Sequence, residues 1–155
     1  MIYRSKLLTS GFVAFALLYS TQTYSHGSAT GIVKERMDIM VTVGDTLKML
    51  SGMAKGSIPF NAKRAAQATR QISDDLGKYP TMFTKHSGAA PSEAAPEIWT
   101  DTAGFKELAK KLEAASLSAS KTLAASSDQS EIKAILIELG NTCKACHKKY
   151  RQSLS

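Results

Sequence analysis

The sequence predicts an all-α protein, an antiparallel four-helix bundle, on three observations. Four segments of roughly 18–25 residues carry apolar side chains at three- and four-residue steps, the period of one helix face. The breakers Pro59, Pro80, Pro91 and Pro96 all fall between those segments. No β-alternation and no internal repeat interrupts the pattern. At 1.5 Å per residue each helix spans about 27–38 Å, the build of a bundle that holds a cofactor between facing helices.

The first helix runs from about Thr30 to Ala54, with Val33, Met37, Met40, Gly44, Leu47 and Leu50 as its inward stripe. Gly56, Pro59 and Phe60 break it, and Asn61 is a good N-cap for the second helix, Ala62 to about Tyr79. Ala65, Thr69, Ile72 and Leu76 make the second stripe, which Tyr79 and Pro80 close. A long connection, Thr81 to Thr100, follows; its apolar residues Met82, Phe83, Ile98 and Trp99 predict partial order. The third helix, about Thr102 to Ala125, turns Phe105, Leu108, Leu112, Ala115, Ala119 and Leu123 inward. The fourth starts at Asp128, where Asp128 and Glu131 form a D-x-x-E pattern like a capping box. Its stripe is Ile132, Ile135, Leu139, Thr142 and Cys146.

Residues 1–25 read as a signal peptide. Arg4 and Lys6 form a positive start, Leu7 to Tyr19 an apolar stretch, and Thr23 and Ser25 small positions before a cut ahead of His26. The apolar stretch is too short to span a bilayer, although an uncleaved anchor is the alternative. Cleavage leaves residues 26–155 as one bundle domain, long enough for a sizeable core, with no membrane anchor. The expected location is the periplasm. The formal charge is +7, and removing the two leader cations leaves +5. The basic residues are scattered except for Lys144, Lys148, Lys149 and Arg151. Nucleic acid is not expected as a partner, since no recognition motif or aromatic interleaving accompanies the charge. The cluster is either a solvated helix face or a docking surface for an acidic redox partner.

The motif that organises the chain is Cys143-Lys-Ala-Cys146-His147, C-x-x-C-H, the attachment signature of c-type haem. Two thiols at this spacing add to the two haem vinyl groups, and the adjacent imidazole can reach the iron. These are the only two cysteines. A redox C-x-x-C pair calls for a βαβ context, and a zinc site calls for a second ligand pair. A disulfide between cysteines three apart on a helix is geometrically poor. Chance occurrence is the remaining alternative. His26 and His86 have no partner at ligand spacing and read as loop residues.

Taken together, these features resemble the cytochrome c' family, the class II c-type cytochromes, with its low-spin His/Met branch in view. The resemblance covers the whole chain after the leader. Its pieces are Cys143-Lys-Ala-Cys146-His147-Lys-Lys-Tyr150-Arg151, Arg36-Met-Asp-Ile-Met40, and Pro96-Glu-Ile-Trp99 followed by Phe105. It implies one haem c, held by Cys143 and Cys146 towards one end of the bundle, with His147 as proximal ligand. It implies a propionate beside Arg36, for which a guanidinium fork is suited; a solvent-facing arginine at a helix start is the alternative. Met40 is implied to point at the distal iron face, against a core methionine and against Met37 as its rival. Arg151 is implied near the proximal haem face, against a surface charge at a helix C-terminus. Trp99 is a core anchor, a wall of the haem pocket, or both.

Two functions follow from the resemblance. With Met40 bound to iron, the site is six-coordinate and suited to electron transfer. With Met40 unbound, it is five-coordinate and open to NO or CO. A structural or metal-binding bundle without haem is the third reading. An enzyme is not expected, because no triad or paired carboxylates can be placed together and the first helix offers Met and Val where a peroxidase needs a polar acid–base group. Either a monomer or a homodimer fits.

Overall fold

The computed structural model describes residues 29–85, 87, 91–126 and 128–152. The proposed leader and His26 and His86 lie outside the described residues. The elements are α1 (Gly31–Ala54), α2 (Ala62–Lys78), a 3-10 turn (Tyr79–Met82), α3 (Glu97–Thr100), α4 (Thr102–Ala125) and α5 (Glu131–Tyr150). No strand occurs among the described residues beyond a single bridge between Ala94 and Arg151. The four long helices form a bundle in which α2 packs most closely on α4, α4 on α5, and α1 more loosely on α5 and α2.

Local chemistry sets the ends. Gly56, at φ 75°, takes the left-handed conformation that ends α1. Ile58 then folds back over Gly52. Asn61 accepts from the Arg64 N–H at 2.8 Å and caps α2 as expected. Beyond Lys78 the chain tightens into the 3-10 turn containing Pro80. Asp101 accepts from the Gly104 N–H at 3.2 Å and caps α4.

The start of α5 departs from expectation. The helix begins at Glu131, not Asp128, and no capping box forms. The Asp128 carboxylate instead accepts from the Ser130 N–H at 2.8 Å, a local turn that occupies the oxygen a capping box needs.

The core stripes of α2, α4 and α5 fall where periodicity puts them: Ile72, Leu76, Leu112, Leu123, Ile132 and Leu139 are all buried. The stripe of α1 is rotated. Val33, Arg36, Val43, Thr46, Leu50 and Met53 are buried, whereas Met37 and Met40 are only half-buried. A second, smaller cluster closes one end of the bundle. Ile98, Phe105 and Tyr150 are its buried members, and Tyr79, Phe83, Trp99 and Cys146 pack against it. The described part of the long connection is therefore folded, contributing Phe83, Ala94, Ile98 and Trp99 to this cluster.

Candidate haem site

Cys143, Cys146 and His147 lie in the last two turns of α5. Both thiols are free and half-buried. Cys143 packs against the main core and Cys146 against the aromatic cluster, so the motif sits where the two meet. Burial, and then the neighbouring Cys143, push the Cys146 thiol up to about 11; burial also raises Cys143. Both stay protonated at neutral pH, the opposite of a redox C-x-x-C pair with a depressed thiol. Among the described residues no three His, Cys, Asp or Glu side chains gather as a metal-binding group. The His147 residue is exposed, yet the surrounding atoms strip enough water from its ring to lower its pKa, and the Arg151 charge adds to this. The neutral imidazole keeps a lone pair for a metal.

Arg36 is the residue on which the sequence left two roles open, and the solvent-facing one is wrong. It is 3% exposed. Its guanidinium carbon lies 4.4 Å from the centre of the Phe83 ring. Nη2 donates to the Ser87 carbonyl, while Nη1 is buried and has no partner among the described residues. Burial lowers its pKa, opposed by Tyr79, but an arginine remains charged. A buried cation with an unused N–H asks for an anionic acceptor.

Met40 lies one turn after Arg36, half-buried and outside both apolar clusters; Met37 is placed alike. One turn further, a Cβ on Gly44 would meet nothing within 4 Å, so this stretch of α1 is loosely covered. Trp99 is half-buried, packs edge-on against Phe83 at 6.1 Å, and donates from Nε1 to the Thr84 carbonyl at 2.8 Å. Its ring belongs to the same cluster as Cys146, so both of its expected roles can hold.

Arg151 sits at the helix end, as the surface-charge alternative has it. It is the cap just past α5, with extended backbone (φ −121°, ψ 135°), and is exposed. Its Nε donates to Glu93 at 2.6 Å. Lys149 is likewise taken, by Asp101. Sequence reasoning missed Asp101, Glu93 and Ser87. Asp101 was legible as a cap before Thr102; Ser87 and Glu93 act across long stretches of chain and left no local signal.

These residues fit a covalent haem. Two unpaired thiols three residues apart can form two thioethers, the neighbouring imidazole can serve iron, and the buried Arg36 N–H can take a propionate oxygen. A shallow groove between α2 and α4, lined by Lys63, Gln67, Arg70 and Ser120, shares no residue with this set.

The comparisons agree with the geometry. The sequence profile of the Cytochrome C' family matches residues 31–151. The chain is 32% identical over 127 residues to cytochrome c' of Rhodopseudomonas palustris, covering 81% of this chain and 85% of that protein. It is 35% identical over 122 residues to a cytochrome c-556 of Agrobacterium tumefaciens, covering 78% and 97%. A solved structure of the Rhodopseudomonas palustris cytochrome c' superposes with a TM-score of 0.71 at 30% identity, covering 82% of this chain and all of that one. A helical bundle with an intact haem-attachment motif, matched by the family profile from α1 to the end of α5, belongs to the cytochrome c' family, whose members carry a covalently attached haem c and serve electron transfer.

Proposed function

We propose that this chain is an exported one-electron carrier in which Cys143 and Cys146 hold haem c, His147 is the proximal ligand and Met40 the distal one. Haem bound there supplies an iron that exchanges one electron or, with an open position, takes a diatomic gas. The observation that carries the reading is the pair Arg36 and Met40 on one face of α1, one turn apart. Among the described residues, the buried Arg36 Nη1 has no partner, and one turn on Met40 offers a thioether that neither core cluster claims. The cation neutralises a propionate, the aromatic cluster keeps water from the Cys146 side, and the neutral thioether and imidazole favour reduced iron.

The five-coordinate reading, binding NO or CO, has equal support from the family. Relatives named cytochrome c' stand beside those named c-556 and c-554. Variants of the Alcaligenes xylosoxidans cytochrome c' have been solved with nitric oxide and with carbon monoxide; at 24% identity that likeness is one of fold alone. The ferric spectrum separates the two. The carrier reading expects a low-spin wild type that Met40→Leu turns high-spin, with Met37→Leu doing much less. A wild type that is already high-spin, and that Met40→Leu leaves unchanged, hands the site to gas binding.

Residues 1–25 are proposed as the cleaved leader to the periplasm, and among the described residues no helix is long and apolar enough to cross a membrane. The partner is proposed to be an acidic redox protein, or a small gas on the second reading. The docking surface is narrower than the sequence suggested. Lys149 and Arg151 are neutralised by Asp101 and Glu93, which leaves the exposed Lys144 and Lys148 to steer. No enzymatic role is proposed, since α1 presents Met37 and Met40 rather than a polar acid–base group.

A further inference from the structure

The end of α5 is held by residues that sit outside the haem-binding set. Tyr150, its last residue, is 4% exposed, and its hydroxyl donates to Asp101 Oδ2 at 2.7 Å. Lys149 donates to the same oxygen. Asp101 Oδ1 meanwhile accepts from the Gly104 N–H. One carboxylate thus caps the start of α4 and ties down the end of α5. From the other side, the Ala95 N–H donates to the Tyr150 carbonyl at 3.1 Å, and the Gln152 N–H to the Glu93 carbonyl at 2.9 Å. The Arg151 N–H reaches back to the His147 carbonyl at 3.3 Å. A Cβ on Gly104 would lie 2.5 Å from both Asp101 Oδ2 and the Tyr150 hydroxyl, so the approach requires glycine.

A metal-bound imidazole is usually oriented by a partner on its other ring nitrogen. Among the described residues no hydrogen bond engages the His147 ring; only burial and the charges of Arg151 and Glu93 act on it. Its direction therefore falls to the backbone of the last turn, and helix ends fray unless tied. We propose that Asp101 and Tyr150 are positioning residues for His147: their contact at the junction of α4 and α5 fixes the turn from which the imidazole projects. The inference rests on His147 being the proximal ligand.

The test is resonance Raman of the haem-loaded protein just after photolysis of its ferrous CO complex, with the reduction potential measured alongside. Tyr150→Phe keeps the ring in the aromatic cluster and removes the hydroxyl. Asp101→Ser keeps a good N-cap but is too short to reach Tyr150. Gly104→Ala drives the two apart. Asn61→Ala is the control, removing the α2 cap without touching the clasp. The iron–histidine stretch should shift or broaden in the clasp variants, with a shift in potential, while Asn61→Ala lowers only the Tm. Clasp variants that lower the Tm and leave stretch and potential unmoved overturn the positioning role. In a Met40→Leu background, where the distal position is open to CO, the lack of an iron–histidine band overturns the ligand assignment beneath it. Should Gly104→Ala not fold, Tyr150→Phe alone decides the question.

Discussion

Replacing Arg36 with methionine tests the propionate reading through the sign of a stability change. The substitution keeps an unbranched apolar stem and removes the charge. Without a propionate, three effects nearly cancel. Loss of the stacking on Phe83 costs about 0.5–2 kcal/mol. Leaving the Ser87 carbonyl unpaired costs about 1–3 kcal/mol. Against these, the unpartnered Nη1 and its desolvated charge disappear, which returns about 1–3 kcal/mol or more. At mid-range the losses exceed the return by about 1 kcal/mol, so the net effect is small. With a propionate on Nη1, the same change also removes a charge-assisted hydrogen bond of about 1.5–3 kcal/mol and leaves a carboxylate without its cation. The net destabilisation is then about 3 kcal/mol or more. Urea unfolding of the haem-loaded protein, followed by far-ultraviolet circular dichroism, reads the difference as a shift in midpoint at constant slope. Thioether attachment keeps haem on the chain in both states, so haem loss does not distort the reading. A haem-loaded Arg36→Met as stable as wild type refutes the assignment and leaves Arg36 as a structural cation under Phe83.

Three further outcomes are expected. Changing Cys143 and Cys146 together to alanine should let acid–acetone extract the haem, whereas wild type should retain it; full extraction from wild type would contradict thioether attachment. Reversing Lys144 and Lys148 to glutamate should invert the salt dependence of reduction by an anionic reductant such as ascorbate, since exposed charges are screened over about 8–10 Å near physiological ionic strength; an unchanged salt slope would leave them as solvated charges. Hydrogen bonds from Lys149, Tyr150 and Gly104 hold the Asp101 carboxyl at about 2. Its folded pKa is depressed, so its stabilisation is present above the ordinary carboxylate pKa of about 4 and is lost as pH falls towards 2. The stability gap between wild type and Asp101→Ser should therefore narrow over that window, and a constant gap would mean the carboxylate charge does not matter.

The fold was legible because its determinants are local and repetitive. The stripes of α2, α4 and α5 recur at helical spacing and are buried where they recur. The α1 stripe misled because a hydrophobicity pattern counts methionine in and arginine out. Here Arg36 is buried, since Phe83 covers its guanidinium and Ser87 takes one N–H. Met37 and Met40, apolar by type, lie half-buried at the loosely covered face. The α5 start misled for a related reason: Asp128 has the capping residue type, but a nearer N–H, that of Ser130, takes its oxygen first.

The candidate site divides along the same line. Covalent attachment is short-range chemistry. The two thiols that meet the vinyl groups of one ring lie three residues apart in the attachment motif, so the proposed set of Cys143, Cys146 and His147 is legible without a structure. What supports them is long-range. Arg36 meets Ser87 across 51 positions, Arg151 meets Glu93 across 58, and Tyr150 meets Asp101 across 49. Each contact joins the connecting segment, or the helix cap that ends it, to an element carrying proposed haem-binding residues. A stretch that sequence alone reads as linker therefore fastens both sides of the site, through Ser87 on α1 and through Glu93, Ala95 and Asp101 on the end of α5. Substitutions there should disturb the haem environment from residues that never touch it. That consequence is hidden in the sequence because hydrogen bonds closed by backbone carbonyls, such as that of Ser87, carry no side-chain signature.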